Sequence, residues 1–255
     1  MGATGRLILV PNTLDFGVAS DADLGEVLPL GVLRTAAALQ HWVAENAKTT
    51  RGFLKRVDAV VPLAQPLQAL SIVELPRPPK GRDGAGRTPP DLRPLLAPAL
   101  AGHDLGLISE AGLPAIADPG SELVRAAHAL QVPVLPLSGP SSLLMALGAS
   151  GLNGQSFAFV GYVPVEAAQR TSRLRELEAW SRKAGQTQLM IETPYRNPAL
   201  LAALLATLQP QTRLSVSCGL TLATAWTRSD SVAQWRSRPS ELPADVPAVF
   251  ALLAG

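Results

Sequence analysis

The chain has one cysteine, Cys218, three histidines and few aromatic residues, 4% of its 255 positions. A single thiol excludes an internal disulfide and any paired-cysteine metal knuckle, and His41, His103 and His128 stand far apart, so no metal site is expected. Scarce aromatics leave little material for the base-stacking platforms of single-strand binders. Long apolar runs are missing too: stretches such as 198–208 fall well short of the ~20 residues that a membrane-spanning helix needs. No basic, apolar, small-residue leader precedes the first structured segment either. The expectation is a cytoplasmic protein with no membrane partner.

Charge of one sign is also absent in excess, since 22 Lys+Arg face 20 Asp+Glu for a net charge of +2. That balance alone does not announce a nucleic-acid partner. Basic residues do gather locally, at Arg77, Lys80, Arg82, Arg87 and Arg93, and again at Arg170, Arg173, Arg175, Arg182 and Lys183. Both groups read as solvated surface unless an RNA acceptor calls on them for phosphate contacts. The common nucleotide-loop signatures are missing as well. Gly81, Gly86, Arg87 and Thr88 imitate a phosphate-binding P-loop but have prolines on both sides, where a strand and a helix are needed. After the first strand, Pro11-Asn12-Thr13-Leu14-Asp15-Phe16-Gly17 stands where a dinucleotide fold would place its glycine fingerprint.

What is present is ample apolar material, 47% of the residues, arranged in short runs between helical patterns. Leu7–Val10, His41–Ala44, Val132–Leu137, Phe157–Val163, Gln188–Ile191, Arg213–Ser217 and Val246–Leu252 have strand length. Asp118-Pro119 and Asn197-Pro198 read as helix caps with proline in the first turn. Positions 166–182 predict an amphipathic helix with Leu174, Leu177 and Trp180 on its inner face. Strands alternating with helices indicate an α/β fold with a largely parallel sheet in at least part of the chain. The Ser-Gly-Pro turn at 138–140 suggests two α/β domains, 1–137 and 138–255.

The segment Gly106–Gly120, GLISEAGLPAIADPG, joins an apolar strand end to an acidic tip, two glycines, two prolines and a helix start. Such a loop exposes backbone groups at the carboxyl edge of a sheet, where open α/β proteins bind ligands. Glu110 is suited to accept from ligand hydroxyls or an amine, while Asp118 reads as a helix cap. In Leu137-Ser138-Gly139-Pro140-Ser141-Ser142 the hydroxyls read first as helix caps. Cys218 reads as a small buried hydrophobe.

SEAGLPAIADPG, PLSGPSSLL, ASGLNGQSFAFVGYVP, QLMIETPYRN and Cys218-Gly219-Leu220-Thr221-Leu222, together with Val43-Ala44-Glu45-Asn46 and Thr50-Arg51-Gly52-Phe53-Leu54, resemble in order and spacing the S-adenosylmethionine-dependent tetrapyrrole methylase superfamily. They are most like its branch that contains the ribosomal RNA small-subunit ribose methyltransferase. The resemblance implies a two-domain methyltransferase, usually a homodimer, with S-adenosylmethionine in a cleft between the domains and ribosomal RNA as a possible acceptor. It implies cofactor contacts from Pro11, Ser109, Glu110, Ala111, Ile116, Pro140, Ser141, Ser142, Met190, Glu192, Tyr195, Leu220 and Thr221. Met190 reads equally as plain core, and Tyr195 as packing under the preceding strand. Glu45 is the candidate base, with Asn46, Thr50 and Arg51 toward the acceptor, although Glu45 and Arg51 could simply pair with each other. The chain departs from the branch in lacking a glycine in the first loop and in having Glu110 where Asp is usual. It also has Gly219 and Leu222 where charged residues flank Leu-Thr, and Ala223-Thr224-Ala225-Trp226 in place of an acidic stretch. Those departures keep open a precorrin-like C-methyltransferase or a cofactor-binding protein without turnover.

Overall fold

The apolar run after Arg6 becomes a strand covered on both faces. The computed structural model describes residues 4–15, 24–76 and 90–255, and the chain forms two units, Met1–Pro140 and Ser141–Gly255. The P-loop imitation and four of the first group of basic residues, Arg77, Lys80, Arg82 and Arg87, lie outside the described residues.

In the first unit β1 (Leu7–Leu9), β2 (His41–Ala44), β3 (Ser71–Glu74), β4 (Leu105–Ile108) and β5 (Val134–Pro136) form one sheet in the order β3-β2-β4-β1-β5. Every pairing in it is parallel. Among the described residues the α-helices that connect or flank these strands are α1 (Leu24–Val27), α2 (Leu30–Ala38), α3 (Ala47–Asp58), α4 (Ala97–Leu100) and α5 (Ser121–Ala129). Alternation divides every strand but the edge strand β3 between two cores. Ile8, Trp42, Ala44 and Ile108 pack with Leu33, Phe53, Leu54 and Val57 from α2 and α3. Leu7, Val43, Leu105 and Leu107 pack with Leu96, Ala99, Leu123 and Ala127 on the other face. Burial on both faces is the reason these strands read as continuous apolar runs.

The second unit differs. Its sheet runs β6-β7-β10-β8-β9, from β6 (Phe157–Phe159), β7 (Thr187–Ile191), β8 (Arg213–Cys218), β9 (Trp226–Ser231) and β10 (Ala248–Leu253). Only β6 and β7 are parallel; β10 is antiparallel to β7 and β8, and β9 to β8. One face is covered by α7 (Ala167–Ala184), α8 (Asn197–Thr207) and α9 (Val232–Ser237), the other by α6 (Ser142–Ser150). The expected parallel sheet therefore describes the first unit alone.

Three local expectations are corrected. Trp180 is 53% exposed, because the buried stripe of α7 passes through Leu174, Leu177, Glu178 and Ser181; its indole N–H reaches Gln186 instead. Asp118 does not cap α5, whose N-cap is Gly120. Asn197 is already the first residue of α8, and its amide donates to the Val246 carbonyl at 3.0 Å rather than capping.

Gly106 fixes how closely β2 and β4 pack. It sits opposite Trp42 in the register, and a Cβ there would fall 2.6 Å from the indole ring. Gly106→Ala is expected to destabilise the protein by about 1–3 kcal/mol through overpacking, read as a lower urea midpoint with an unchanged slope. An unshifted midpoint would mean that the ring moves aside without cost.

Candidate functional site

Three loops leave the carboxyl edge of the first sheet beside one another: 10–15 after β1, 45–46 after β2 and 109–120 after β4. The strand order reverses around β4 and β1, since β1 leads toward β2 and β4 leads toward β5. Open α/β sheets bind ligands where the order reverses in this way.

Asn12 joins two of the loops. Its buried amide donates to the carbonyls of Ser109 at 3.1 Å and Glu110 at 3.0 Å, and its Oδ1 accepts from Thr13 N. Backbone bonds from Asn12 N to Gly112 O and from Gly112 N to Thr13 O complete the join. Thr13 donates to Asp15 at 2.6 Å, and Arg56 from α3 reaches Asp15 at 3.0 Å. Pro11 is buried as a wall; a Cβ on Gly139 would lie 2.2 Å from its ring, so the 138–140 turn rests directly on it. Asn12, Asp15 and Arg56 were not anticipated. The available signal was the run of short polar residues directly after an apolar strand.

Glu45 lies beside the second join. Its Oε2 accepts the backbone N–H of Glu110 at 3.0 Å. Burial pushes the Glu45 carboxyl up, the bond from Glu110 N–H works against that, and the Glu110 charge adds to it. Asp118 is pushed up to about 6, first by burial and next by the charge of Glu45; a hydrogen bond with Ser109 opposes this and Glu110 adds to it. Ser109 itself is buried and donates to Ala111 O at 3.1 Å. The loop is bent by Ala115 and Ala117, both left-handed at φ 67° and 65°, with Gly112 at 65° and Gly120 at 133°. Non-glycine residues with positive φ carry strain of about 1–3 kcal/mol each and tend to collect at functional loops. Between the two alanines Ile116 is 47% exposed.

Pro11, Glu45, Ser109, Glu110 and Ala111 thus meet at one edge with Asp118, which the Asp-Pro pattern had disguised as a cap. The residues assigned toward the acceptor behave differently. Asn46 caps α3 through Lys48 N and Thr49 N. Thr50 is buried with its hydroxyl on Asn46 O at 2.8 Å, so both hold the helix start. Arg51 is exposed with Nη1 on Ala47 O at 3.4 Å, and the Glu45–Arg51 pair does not form.

In the second unit Ser141 holds the position before α6, yet its hydroxyl makes no capping bond; the expected capping role is corrected. Ser142 opens the helix. Met190 is fully enclosed opposite Phe250, which selects the core reading for its side chain. Glu192 is buried, pairs with Arg196 at 2.7 Å and accepts from Thr193 N. Tyr195 is 69% exposed rather than packed under the strand. Leu220 packs against the core under α6, and Thr221 is left-handed at φ 72°, an uncommon state for a β-branched residue. Cys218 is buried, and burial raises its thiol with the Asp245 charge adding. The second basic group is spread around α7: Arg173 pairs with Glu176, Arg182 donates to Gly255 O and Lys183 lies over Trp180. Arg93 pairs with Asp91. Among the described residues no group of three or more His, Cys, Asp or Glu is placed to hold a metal ion, and no helix is long and apolar enough to cross a membrane.

No family model matches the chain. It is similar to proteins named ribosomal RNA small subunit methyltransferase I. Identity is 44% over 95 residues with that of Pseudomonas aeruginosa, covering 37% of this chain and 32% of the relative. It is 37% over 127 residues with that of Mesorhizobium japonicum, covering 50% and 42%. With that of Xylella fastidiosa it is 32% over 169 residues, covering 66% and 55%. The chain thus spans between about a third and just over half the length of these relatives. Among solved structures it is similar to the uroporphyrin-III-C-methyltransferase from Thermus thermophilus, with TM-score 0.51 and 19% identity over 98% of this chain and 92% of the other. The methyltransferase CobJ gives 0.55 and 15%, over 100% and 95%. These likenesses show the fold, the two-domain α/β architecture of the tetrapyrrole methyltransferases, and the resemblance drawn from the motifs is borne out.

Asp118 ties the edge to pH. A carboxyl raised to about 6 in the folded chain, against an ordinary value near 3.8, favours the fold when protonated, and that contribution is lost as pH rises from about 4 through 6. Asp118→Asn should therefore melt higher than the parent at pH 8, with the difference closing by pH 4. Parallel melting curves across that range would show that Asp118 ionises without penalty.

Proposed function

We propose that the chain is an S-adenosylmethionine-dependent methyltransferase that acts on a ribose hydroxyl of small-subunit ribosomal RNA. The observation that carries this reading is the Glu45 carboxylate at the sheet edge, held through Oε2 by Glu110 N–H, in a chain similar to ribosomal RNA small subunit methyltransferases. Homodimer formation and a cytoplasmic site of action go with the reading, as the resemblance implies.

The donor set suits the cofactor. Glu110 is half-buried and its carboxylate makes no hydrogen bond among the described residues, which leaves it to accept from a ribose diol or an ammonium. Glu45, Glu110 and Asp118 together make a negative field that suits a sulfonium cation. Exposed Ile116 offers an apolar contact. In the resemblance, Ser141, Glu192, Leu220 and Thr221 of the second unit are further contacts. When bound, the cofactor supplies an electrophilic methyl carbon on a positively charged sulfur.

The chain's own residues then have two tasks. Loops 109–116 and 10–15, fixed by Asn12, hold the reacting groups in line, and positioning supplies much of the rate in a direct displacement. Glu45 takes the hydroxyl proton through Oε1, since Oε2 is engaged by Glu110 N–H. Burial makes Glu45 a stronger base than an ordinary carboxylate, as general-base work near neutral pH requires. A carbon acceptor on a tetrapyrrole is the second reading, favoured by the likeness to tetrapyrrole methyltransferases across the whole chain.

Glu45→Gln keeps a hydrogen-bond acceptor for Glu110 N–H but removes the base. With methyl-labelled cofactor and ribosomal RNA, the variant is expected to transfer label about 10²–10⁴-fold more slowly while still binding the cofactor in calorimetry, more weakly only by the loss of one of the three charges facing the sulfonium. Label should appear as alkali-resistant ribose methylation. Label entering a precorrin-like compound and not RNA would select the second reading.

A further inference from the structure

A cavity of about 660 Å³ opens at the other edge of the first sheet, lined among others by Thr4, Arg6, Arg34, Gln40, His41 and His103. Its walls come from segments that precede or begin β1, β2 and β4, so it lies at the amino edge, away from Glu45 and Asp118. The volume falls within the range of small-ligand sites.

The walls are fixed by the backbone. Gly5 N donates to Ala99 O, Leu105 N to Arg6 O and His103 N to Pro98 O. A Cβ on Gly5 would lie 2.1 Å from His103 O, so that glycine allows the 102–104 turn to press against the chain before β1. His41 and His103 stand with ring centroids 5.3 Å apart and planes inclined by 51°, forming an aromatic wall.

The inventory of polar groups decides the kind of ligand. The cavity's one carboxylate is engaged. Asp104 takes Arg6 N and Nε on Oδ1 and Nη2 on Oδ2. Of its carbonyls, that of Leu39 accepts from the Trp42 indole N–H and that of Gln40 from Ser71 N. Donors are not spent: the exposed Arg34 guanidinium, the Gln40 amide, the Thr4 hydroxyl and both imidazoles have no hydrogen-bond partner among the described residues. A divalent cation would find two histidines but no unspent carboxylate, and Arg34 would repel it. An oxyanion matches the donors, with Arg34 as its charged partner, and the cavity has room for a planar ring against the histidines beside it.

We propose that this cavity binds a phosphate-bearing nucleotide unit, its phosphate on Arg34 and its base along the His41–His103 wall. The proposal is independent of the methyl-transfer reading, because none of these residues belongs to the carboxyl-edge site. The same chemistry could come from a free nucleotide or from an RNA chain.

Titration calorimetry with uridine monophosphate, inorganic phosphate and a short oligouridine RNA tests it, with the histidine ring resonances followed by NMR. Uridine monophosphate should bind at millimolar concentration or below and shift both rings, and Arg34→Ala, an exposed substitution, should weaken it about tenfold, as loss of a charge-assisted hydrogen bond implies. S-adenosylmethionine affinity should stay unchanged in that variant, which separates this outcome from failure of the methyltransferase reading. Tighter binding of the oligouridine than of the monophosphate, lost with Arg34→Ala, identifies RNA as the source; equal or weaker binding identifies a free nucleotide. No binding of any probe at millimolar concentration, binding that survives Arg34→Ala, or unmoved histidine resonances overturns the proposal.

Discussion

The carboxyl edge of the first sheet depends on one buried amide. Asn12 donates twice, to the Ser109 and Glu110 carbonyls, and accepts once, from Thr13 N. A loop that follows a parallel strand has no ladder of its own, and its backbone groups must find partners or remain in water. Asn12 supplies them from a side chain and in doing so orients Glu110 so that its N–H meets Glu45. Loss of Asn12 would strand the buried Ser109 carbonyl, at about 1–3 kcal/mol, leave the half-buried Glu110 carbonyl without its partner, and release the peptide that holds Glu45. The structural and chemical parts of the edge therefore share one residue.

How much of this the sequence discloses varies by element for physical reasons. Apolar runs buried on both faces announce themselves, and β1, β2, β7, β8 and β10 lie where the runs predict them. β3 and β9 are edge strands that carry no continuous apolar pattern, as edges are free to do, whereas the edge strands β5 and β6 keep one and lie on the runs 132–137 and 157–163; β9 reads Trp-Thr-Arg-Ser-Asp-Ser. The caps mislead in the opposite way. Asp-Pro and Asn-Pro carry the local grammar of a helix start, but α5 begins after Gly120 and a 3-10 turn over Pro194–Arg196 runs directly into α8. Tertiary bonds, to Ser109 in one case and to the Val246 carbonyl in the other, claim those side chains, and no local pattern reports a partner that is distant in sequence.

The site shows the same division. Glu110 could be picked out because an acidic residue at the tip of an apolar strand end has few structural uses, and Glu45 through the family resemblance. That Asp118 joins them could not be seen, since the coupling of Asp118 to Glu45 depends on the bend made by two left-handed alanines, and alanine does not advertise that conformation. Asn46 and Thr50 err in the other direction. They match a motif, but their side chains are consumed in starting α3.

The two edges of the sheet carry opposite chemistry, and part of that contrast belongs to the fold itself. In a parallel α/β unit helices begin at the carboxyl edge and end at the amino edge, so the first carries partial positive charge and the second partial negative. Glu45 lies just before α3 and Asp118 just before α5, whereas Arg34 lies in the last turns of α2 with His41 beyond its end. Acids over helix starts and bases near helix ends would be favourable in any protein of this architecture, at about 0.3–1 kcal/mol each. Sign of charge is therefore weak evidence for a ligand at either edge. What separates a site from a stabilised helix end is whether the side chain still has capacity to bond. Arg6 fails that criterion, with Asp104 taking its guanidinium; Glu110, Oε1 of Glu45 and Arg34 meet it.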